Sequence, residues 1–420
     1  MIGVVGLSHK SAPVEVREKF AFDREDVLSV SKRVLLSEYI NEVFILSTCN
    51  RTEIYFKSEG ICTAGVFKTI VSSLPHYKLY GEEVNDSFYR YFNKEAVRHL
   101  FRVVCGLEAM VVGEYQIVAQ LKEACYIAQS AGTVSTVLER LYGKALETGK
   151  LVRSTTDISK GVFSVSSAAV AKCCQVFDNI VNRKILLIGA GDTGELVIKN
   201  LHKKGCQNIF ITNRTAGKAD ELSKKYNGTA VAFESYLDEL SDSEIVVTSV
   251  TSKEPVLDYH NVKSSLNGLS KILMIDLGVP RNINPDITNI ESVNLFNIDD
   301  LNGIVDNNRE KKLSCFAESE KIIEEKVSEF TDWLYMRNLS PAIDNIINAI
   351  DKVAVNELLH YKNPVKSSNK EPDAVVEYSE IFSKKIKNEL IKNLKSVTDN
   401  GRKSDYIQVI NNLFSKINET

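Results

Sequence analysis

The sequence predicts a multidomain α/β protein in which a doubly wound parallel sheet follows a smaller α+β domain and precedes an all-helical domain. The chain has 420 residues, which is enough for about three domains of roughly 150 residues each. Short apolar runs alternate with helical or polar segments over residues 160–305, as in a doubly wound sheet. Beyond that range helix formers dominate. We therefore expect domains at 1–159, 160–305 and 306–420.

Each element expected in the first domain has a local cause. The apolar run at residues 2–7 predicts a strand, and Asp23 is placed as the N-cap of a helix through DREDVLSVSKRVL. A second strand at residues 42–47 runs into the polar turn TCNR, and EIYFKS resumes as a third strand. In NKEAVRHLFRVV, which starts at Asn93, apolar residues recur at three- and four-residue spacing and predict a helix.

Composition narrows the classes of protein. The chain is 44% hydrophobic and 25% charged, which is typical of a globular protein and not of a disordered one. Eight cysteines without a CxxC pair or a Cys/His cluster indicate unpaired thiols and no metal site. A net charge of -3 excludes a global cationic field that would attract nucleic acid. No apolar run approaches the roughly 20 residues of a membrane span, so we expect a cytoplasmic protein.

A glycine-rich turn opens the second domain. Gly189, Gly191 and Gly194 form GxGxxG between the apolar run KILLI and an amphipathic helix. The first glycine permits the tight turn, the second lets the backbone approach a pyrophosphate, and the third allows close packing of helix on strand. The alternative is a turn that packs the sheet without a ligand. We expect dinucleotide contacts from the whole turn, namely Gly189, Ala190, Gly191, Asp192, Thr193 and Gly194.

The end of the next strand indicates which dinucleotide binds. An NAD site has an acidic residue here for the ribose 2′-hydroxyl, whereas NIFIT ends in Asn213, Arg214 and Thr215. Arg214 supplies a forked, permanently charged donor suited to a 2′-phosphate. Its alternative role is that of a surface arginine at the start of a helix. The pattern favours NADPH over NADH.

Among the cysteines, Cys49 occurs where a strand opens into the polar turn Thr48-Cys49-Asn50-Arg51. A thiolate there would be accessible and stabilised by the Arg51 guanidinium, whereas Cys105, Cys125, Cys173 and Cys174 fit the pattern of small buried hydrophobes. A thiolate beside a hydride donor indicates one chemistry: attack on an activated acyl group forms a thioester, which hydride reduces to an aldehyde.

These motifs carry a resemblance to a known family. STCNRTEIY (47–55), VRHLFRVVCGLEAMVVGEYQIVAQ (97–120), GAGDTGEL, TNRT, DLGVPRNINP and LFNIDDL occur in the order typical of glutamyl-tRNA reductases. The resemblance covers residues 1 to about 340. It implies NADPH-dependent reduction of glutamyl-tRNA to glutamate-1-semialdehyde for tetrapyrrole synthesis. It also implies a helical dimerisation domain, joined by a long helix that would begin near Asn302, and hence a homodimer.

The same resemblance assigns roles by matching position. Cys49 would be the nucleophile, and His99 would polarise the ester carbonyl or assist the departing tRNA hydroxyl. Without the motif, a satisfied histidine at a helix edge is an equal alternative for His99. Arg51 has a second candidate role, which is to bind the substrate carboxylate bidentately. The glutamate pocket would comprise Thr48, Asn50, Arg51, Ala109, Glu114, Tyr115, Gln116 and Gln120.

Departures from the family pattern concern three places. Ala109 stands where the family commonly has Ser, and Tyr115 stands where Pro is common. The last hundred residues lack the family's Leu-His-x-Pro pattern. A tRNA would need a local basic patch, and charge runs are usually solvated helix faces. Candidate clusters are Lys144, Lys150, Arg153 and Lys160, and Lys384, Lys385, Lys387, Lys392 and Lys395.

Two other functions remain open from the sequence. A shikimate-dehydrogenase-like NADPH oxidoreductase would share the GAG and NRT motifs but would have no use for TCNR. A non-catalytic, NADPH-binding regulatory protein would fit a degenerate acyl pocket, at which Ala109 hints. A partner aminotransferase that accepts glutamate-1-semialdehyde is a further implication of the family resemblance.

Overall fold

The computed structural model describes most of the chain. The described residues are 1–59, 62–75, 77, 81–110, 116–156, 158, 164–266, 271–301, 309–362, 380–388 and 390–391. Two compact units, Met1–Val327 and Ser328–Thr420, divide the chain. Within the described residues, no helix has both the length and the apolar character that a bilayer span requires.

The N-terminal domain is built on a four-stranded antiparallel sheet, as the α+β prediction requires. Its order is β2-β3-β1-β4, with β1 and β3 in the centre. All seven residues of β1 are buried because helices cover the sheet. The strands are β1 (Ile2–Ser8), β2 (Ile40–Ser47), β3 (Arg51–Ser58) and β4 (Tyr89–Phe92).

The described residues of this domain include six α-helices of four or more residues, and two of them confirm particular expectations. Asp23 caps α2 through a reciprocal capping box with Asp26, so the helix begins where the sequence predicts. The apolar spacing after Asn93 becomes the buried face of α4. The helices are α1 (Val14–Arg17), α2 (Arg24–Leu35), α3 (Thr63–Ser72), α4 (Lys94–Val104), α5 (Gln116–Ser130) and α6 (Thr136–Thr155).

A six-stranded, fully parallel sheet forms the second domain, in the order β10-β9-β8-β5-β6-β7. The chain runs outward from β5 to β7 and then returns to β8 beside β5, so the order reverses between β5 and β8. Ligands of open α/β sheets bind outside the strand ends at such a point. The elements are α7 (Val165–Val176), β5 (Ile185–Ile188), α8 (Asp192–Lys203), β6 (Ile209–Thr212), α9 (Ala216–Tyr226), β7 (Thr229–Val231), α10 (Tyr236–Glu239), β8 (Ile245–Thr248), α11 (Tyr259–Ser265), β9 (Ile272–Asp276) and β10 (Val293–Asn297).

The described residues of the C-terminal part beyond Leu301 are helical, as predicted. A single helix, α12 (Arg309–Lys362), extends over 54 residues. The expected start near Asn302 lies outside the described residues. In the unit from Ser328 onward, residues 380–388 are also helical. This unit leaves large apolar side chains exposed, which are Val353, Val355, Ile381, Phe382, Ile386 and Leu390. Such a surface is typical of a protein that associates.

Candidate active site

A cavity of about 690 Å³ opens between the ends of the two sheets. Its wall includes the turn after β2, the start of α5, and the loops that follow β8 and β9. The thiol and the nucleotide-binding edge therefore face the same space, although they come from different domains. The predicted site residues on its wall are Thr48, Cys49, Asn50, Arg51, Ala109, Gln116, Gln120, Thr193 and Arg214.

The turn that carries Cys49 is locked by its neighbours. Thr48 Oγ1 accepts the backbone N–H groups of Asn50 and Arg51, each at 3.2 Å, and the Thr48 N–H donates to the Arg51 carbonyl at 2.8 Å. Cys49 at the tip is half-buried and packs against the apolar core of the nucleotide-binding domain. The tight β2–β3 connection thus holds the thiol at the junction of the two domains.

Arg51 is almost fully buried and paired with Glu53. Its Nη1 donates to Glu53 Oε1 at 2.7 Å, and its Nη2 donates to the carbonyl of Glu108. Burial alone would raise the pKa of Glu53, but the Arg51 and His99 charges hold that pKa well below its usual range. The guanidinium charge is therefore paired with the Glu53 carboxylate, and stabilisation of a Cys49 thiolate by Arg51 stays a prediction. Arg51 also ties the thiol's turn to the Glu108–Ala109 segment.

His99 lies behind the cavity wall and is absent from its lining. Its Nε2 is 2.8 Å from Glu53 Oε1, and its ring centroid lies 5.2 Å from that of Tyr89 and 4.9 Å from that of Tyr91. The geometry makes His99 a partner of Glu53. This contact satisfies the histidine, and its role in catalysis stays a prediction.

Glu53 is the first of two site residues that the sequence analysis missed. Besides Arg51 and His99, it accepts hydrogen bonds from the hydroxyls of Tyr55 and Tyr89. A Cβ on Gly6 of the adjacent strand would lie 2.8 Å from Glu53 Cγ, so only glycine leaves room for this side chain. The signal was an acidic residue directly before the apolar run Ile54–Phe56, because a carboxylate that a strand buries there requires partners.

His9 is a second residue that the sequence analysis missed. Its backbone N–H donates to the Asn50 carbonyl at 3.0 Å, so it braces the far side of the Cys49 turn. Burial, and then the Arg51, Arg17 and Lys10 charges, lower the pKa of His9 to about 4. The imidazole is therefore neutral at physiological pH.

The remaining substrate candidates come from one loop and one helix. Ala109 lines the cavity, and the absent hydroxyl leaves an apolar methyl group at that point. Gln116 and Gln120 project into the cavity from one face of α5, because residues four apart share a helix face. Glu114 and Tyr115 lie outside the described residues.

The glycine turn has the shape that a dinucleotide needs. Gly189 has φ +117°, and a Cβ there would lie 2.2 Å from the Ser249 carbonyl oxygen. A Cβ on Gly194 would lie 2.1 Å from the Gly189 oxygen, whereas a Cβ on Gly191 would meet nothing within 4 Å. The first and third glycines are thus demanded by packing, and the second borders open space at the N-terminus of α8. A pyrophosphate fits this arrangement.

Of the candidate residues at the end of β6, Asn213 makes a structural contact and Arg214 lines the cavity. Asn213 Oδ1 accepts the Ala190 N–H at 3.1 Å, so Asn213 holds the glycine turn against β6. Arg214 is exposed, lines the cavity and donates to the Thr251 carbonyl. Thr215 is exposed at the start of α9. Asp192, the first residue of α8, is exposed beside the turn.

In the two basic clusters, some residues have structural partners and others are exposed. Lys144 pairs with Glu147 at 2.9 Å, and Arg153 donates to the Val104 carbonyl at 3.2 Å, so both have structural partners. Lys387 pairs with Asp351 in the C-terminal unit. Lys150, Lys384 and Lys385 are exposed, and Lys160, Lys392 and Lys395 lie outside the described residues.

Two predicted absences concern metals and disulfides. Among the described residues, no group of three or more His, Cys, Asp or Glu side chains is arranged to hold a metal ion. All eight cysteines lie in the described part of the chain, and none of them forms a disulfide.

Comparisons with known proteins cover all three parts of the chain. Residues 5–156 match the model of the glutamyl-tRNAGlu reductase N-terminal domain, and residues 318–416 match that of its dimerisation domain. Residues 171–304 between them match the shikimate / quinate 5-dehydrogenase model.

Whole-chain relatives agree with these domain matches. Glutamyl-tRNA reductase from Sulfurihydrogenibium sp. is 36% identical over 84% of this chain and 80% of its own length. That from Natranaerobius thermophilus is 31% identical over 99% of this chain and 91% of its own. The solved glutamyl-tRNA reductase from Methanopyrus kandleri aligns with a TM-score of 0.53 and 28% identity, covering 99% of this chain and 98% of that one. The chain belongs to the glutamyl-tRNA reductase family.

Proposed function

We propose that this protein reduces the glutamyl group of glutamyl-tRNA to glutamate-1-semialdehyde with NADPH and releases the tRNA. This is the first step of tetrapyrrole synthesis, the route to 5-aminolevulinate and porphyrins. The observation that carries the proposal is the shared cavity, in which Cys49 of one domain and Thr193 and Arg214 of the other line a single space. A shikimate-dehydrogenase-like enzyme would have no use for a thiol at that position.

The first step is acyl transfer to Cys49. The thiolate attacks the ester carbonyl, a C–S bond forms, the C–O bond to the ribose breaks, and the ribose oxygen takes a proton as the tRNA leaves. An ester needs no strong general base, since its leaving group is a hydroxyl. The locked turn presents the thiol, and Arg51, Gln116 and Gln120 supply donors for the glutamate side-chain carboxylate.

The second step releases the product from the enzyme. NADPH, when bound, supplies the hydride for the thioester carbonyl; with a proton, the C–S bond breaks to give the aldehyde and the Cys49 thiol. The open side of Gly191 and the N-terminus of α8 would hold the pyrophosphate, and Arg214 would hold the 2′-phosphate.

We assign Glu53 and His99 to the support of this site. Glu53 orients Arg51 by the 2.7 Å ion pair, and His99 completes the set of donors on Glu53. Both act through Arg51, which contacts the cavity directly. Asn50 and Thr48 shape the turn on the same wall.

The match to a dimerisation domain and the exposed apolar residues of the C-terminal unit support a homodimer. A protein that holds eight cysteines without a disulfide suits the reducing cytoplasm. The unstable aldehyde product calls for a consumer close by, and an aminotransferase that accepts glutamate-1-semialdehyde is the partner we propose.

The mechanism is tested by Cys49→Ser, with Cys62→Ser as the control because Cys62 is an exposed cysteine that does not line the cavity. Two quantities are measured: tRNA released from glutamyl-tRNA without NADPH, and NADPH oxidised with it. Cys49→Ser should lose nearly all of both, and the control should retain both. Full activity in Cys49→Ser would sink the thioester mechanism, and no oxidation by the unmodified protein would favour a non-catalytic NADPH-binding role.

The cofactor is tested by Arg214→Leu, with Lys203→Leu as a control on the far end of α8. Loss of a charge-assisted contact to the 2′-phosphate should weaken NADPH binding by about 1.5–3 kcal/mol, roughly tenfold to a hundredfold. NADH binding should change little in both variants. Equal weakening of both nucleotides by Arg214→Leu would show that the phosphate is read elsewhere.

A further inference from the structure

Ion pairs join the segment 14–26 of the N-terminal domain to the nucleotide-binding domain at three places. The innermost pair is Arg17 with Asp299, whose guanidinium and carboxylate meet at 2.9 Å through two nitrogens. The Val14 N–H also donates to Asp299 Oδ2 at 3.0 Å. Arg17 is only 2% exposed, so this contact is shielded from solvent and salt.

The second contact is made by Arg281, which lies in the loop after β9. Arg281 donates from Nη2 to Glu18 Oε1 at 2.7 Å and from Nε to Glu18 Oε2 at 3.0 Å, and its Nη1 lies 3.3 Å from Glu15. Gly278, Val279 and Pro280, the residues just before Arg281, line the cavity. The arginine therefore fixes a cavity wall of one domain against the other domain.

The third contact lies at the rim of the cavity. Lys253 Nζ is 2.7 Å from Asp23 Oδ2 and 3.3 Å from Asp26 Oδ2. Lys253 and Asp23 both line the cavity, and the lysine side chain is 70% exposed. The three contacts thus run from a buried anchor to an exposed rim along one side of the site.

We propose that these three contacts form an interdomain clasp, in which Arg281 and Lys253 are positioning residues for the reduction step and are not needed for acyl transfer. The inference rests on the proposed function. The thiol, its turn and the proposed glutamate pocket belong to the N-terminal domain, so the groups that react in the transfer of glutamate to Cys49 come from that domain and not from the nucleotide-binding domain. Reduction needs a hydride donor held by the other domain, and a displacement of about 1 Å costs such a step about a hundredfold.

The clasp is graded in a way that suits entry of a large substrate. Arg17 and Asp299 hold at the buried end, whereas the Lys253 contacts are exposed and screened by salt. Separation at the rim admits the esterified end of a tRNA while the buried anchor keeps the domains in register. Re-formation of the rim contacts then brings the two walls together around the acylated thiol.

The experiment compares Arg281→Gln, Lys253→Gln and the charge exchange Glu18→Arg with Arg281→Glu in the full-length protein. Lys225→Gln is the matched control, because Lys225 pairs with Glu195 within the nucleotide-binding domain and crosses no boundary. Three quantities are measured: tRNA release without NADPH, NADPH oxidation with glutamyl-tRNA, and the rate at which iodoacetamide alkylates Cys49, followed by peptide mass spectrometry.

Arg281→Gln should leave tRNA release within about twofold of the unmodified protein, slow NADPH oxidation between about tenfold and a hundredfold, and speed alkylation of Cys49. Lys253→Gln should do the same to a smaller extent, the charge exchange should recover most of the loss, and the control should change nothing. The clasp would be overturned if Arg281→Gln slowed tRNA release and NADPH oxidation equally, or slowed neither. It would also be overturned if the charge exchange failed to recover NADPH oxidation. Failure of the unmodified protein to release tRNA would instead overturn the proposed function.

Discussion

Glu53→Gln is the sharpest test of how the site is held together. The substitution keeps the size of the side chain and removes its charge. Arg51 is only 3% exposed and has Glu53 as its ion-pair partner at 2.7 Å, so the variant leaves a buried guanidinium without a counter-charge. Breaking a buried pair in this way costs about 3–5 kcal/mol. At about 2–4 °C per kcal/mol in a large domain, the melting temperature should fall by about 10 °C.

The measurement is thermal and urea unfolding of both proteins at neutral pH, with Glu59→Gln as the control. Glu59 is 66% exposed and pairs with Lys57, and exposed pairs contribute about 1 kcal/mol or less. The comparison isolates burial, because both changes remove one carboxylate from a pair at the same sheet. A loss below about 1 kcal/mol for Glu53→Gln, or a loss no larger than that of Glu59→Gln, would refute the reasoning.

The same pair predicts a pH dependence. The folded-state pKa of Glu53 lies well below its ordinary value of 4.5, because Arg51 and His99 outweigh the effect of burial. At a pH between the folded-state pKa of Glu53 and 4.5, the unfolded chain therefore binds more protons than the folded one. The free energy of unfolding falls as the pH drops through this range. The difference in unfolding free energy between the unmodified protein and Glu53→Gln should be constant above pH 4.5 and shrink below it. A difference that is unchanged in acid would contradict the pairing.

Two further predictions concern binding. Gly191→Ala should leave the melting temperature unchanged and abolish dinucleotide binding. Gly194→Ala should lower the melting temperature, because its Cβ would lie 2.1 Å from the Gly189 oxygen. Calorimetry and nucleotide titration distinguish the two variants, and retained binding in Gly191→Ala would show that the pyrophosphate does not bind at that turn. Ala109→Ser should restore one hydrogen bond, worth about 0.5–1.5 kcal/mol, and lower KM for glutamyl-tRNA about two- to tenfold at constant kcat; an unchanged KM would place the substrate away from residue 109.

The elements and the nucleotide turn were predictable because their causes are local. Asp23 caps α2 by a bond to the N–H three residues on, and the glycine spacing follows from a strand, a turn and a helix in direct succession. The parallel sheet and the long C-terminal helix also follow from short-range patterns of apolar residues. The polar motif around Cys49 predicted the turn between β2 and β3 in the same way.

The support of the site was not predictable, because it depends on contacts between distant segments. His99 looks like a catalytic residue in its motif, and only the sheet and α4 bring it behind Glu53, 46 residues away in sequence. The ion pair of Arg51 with Glu53 was missed for the same reason, since no local pattern shows that this carboxylate is buried beside the guanidinium. Arg17 and Asp299 are 282 residues apart and pair only in the folded chain.

The sequence by itself determined that this chain has a thiol in a polar turn, a dinucleotide turn without an acid after the second strand, and a helical end. These properties depend on the order of neighbouring residues. The tertiary structure decided that Cys49 and Arg214 line one cavity. It also decided which charged residues pair across the domain boundary, which the net charge of -3 does not show. Packing decides such matters because burial brings together groups that no local pattern relates.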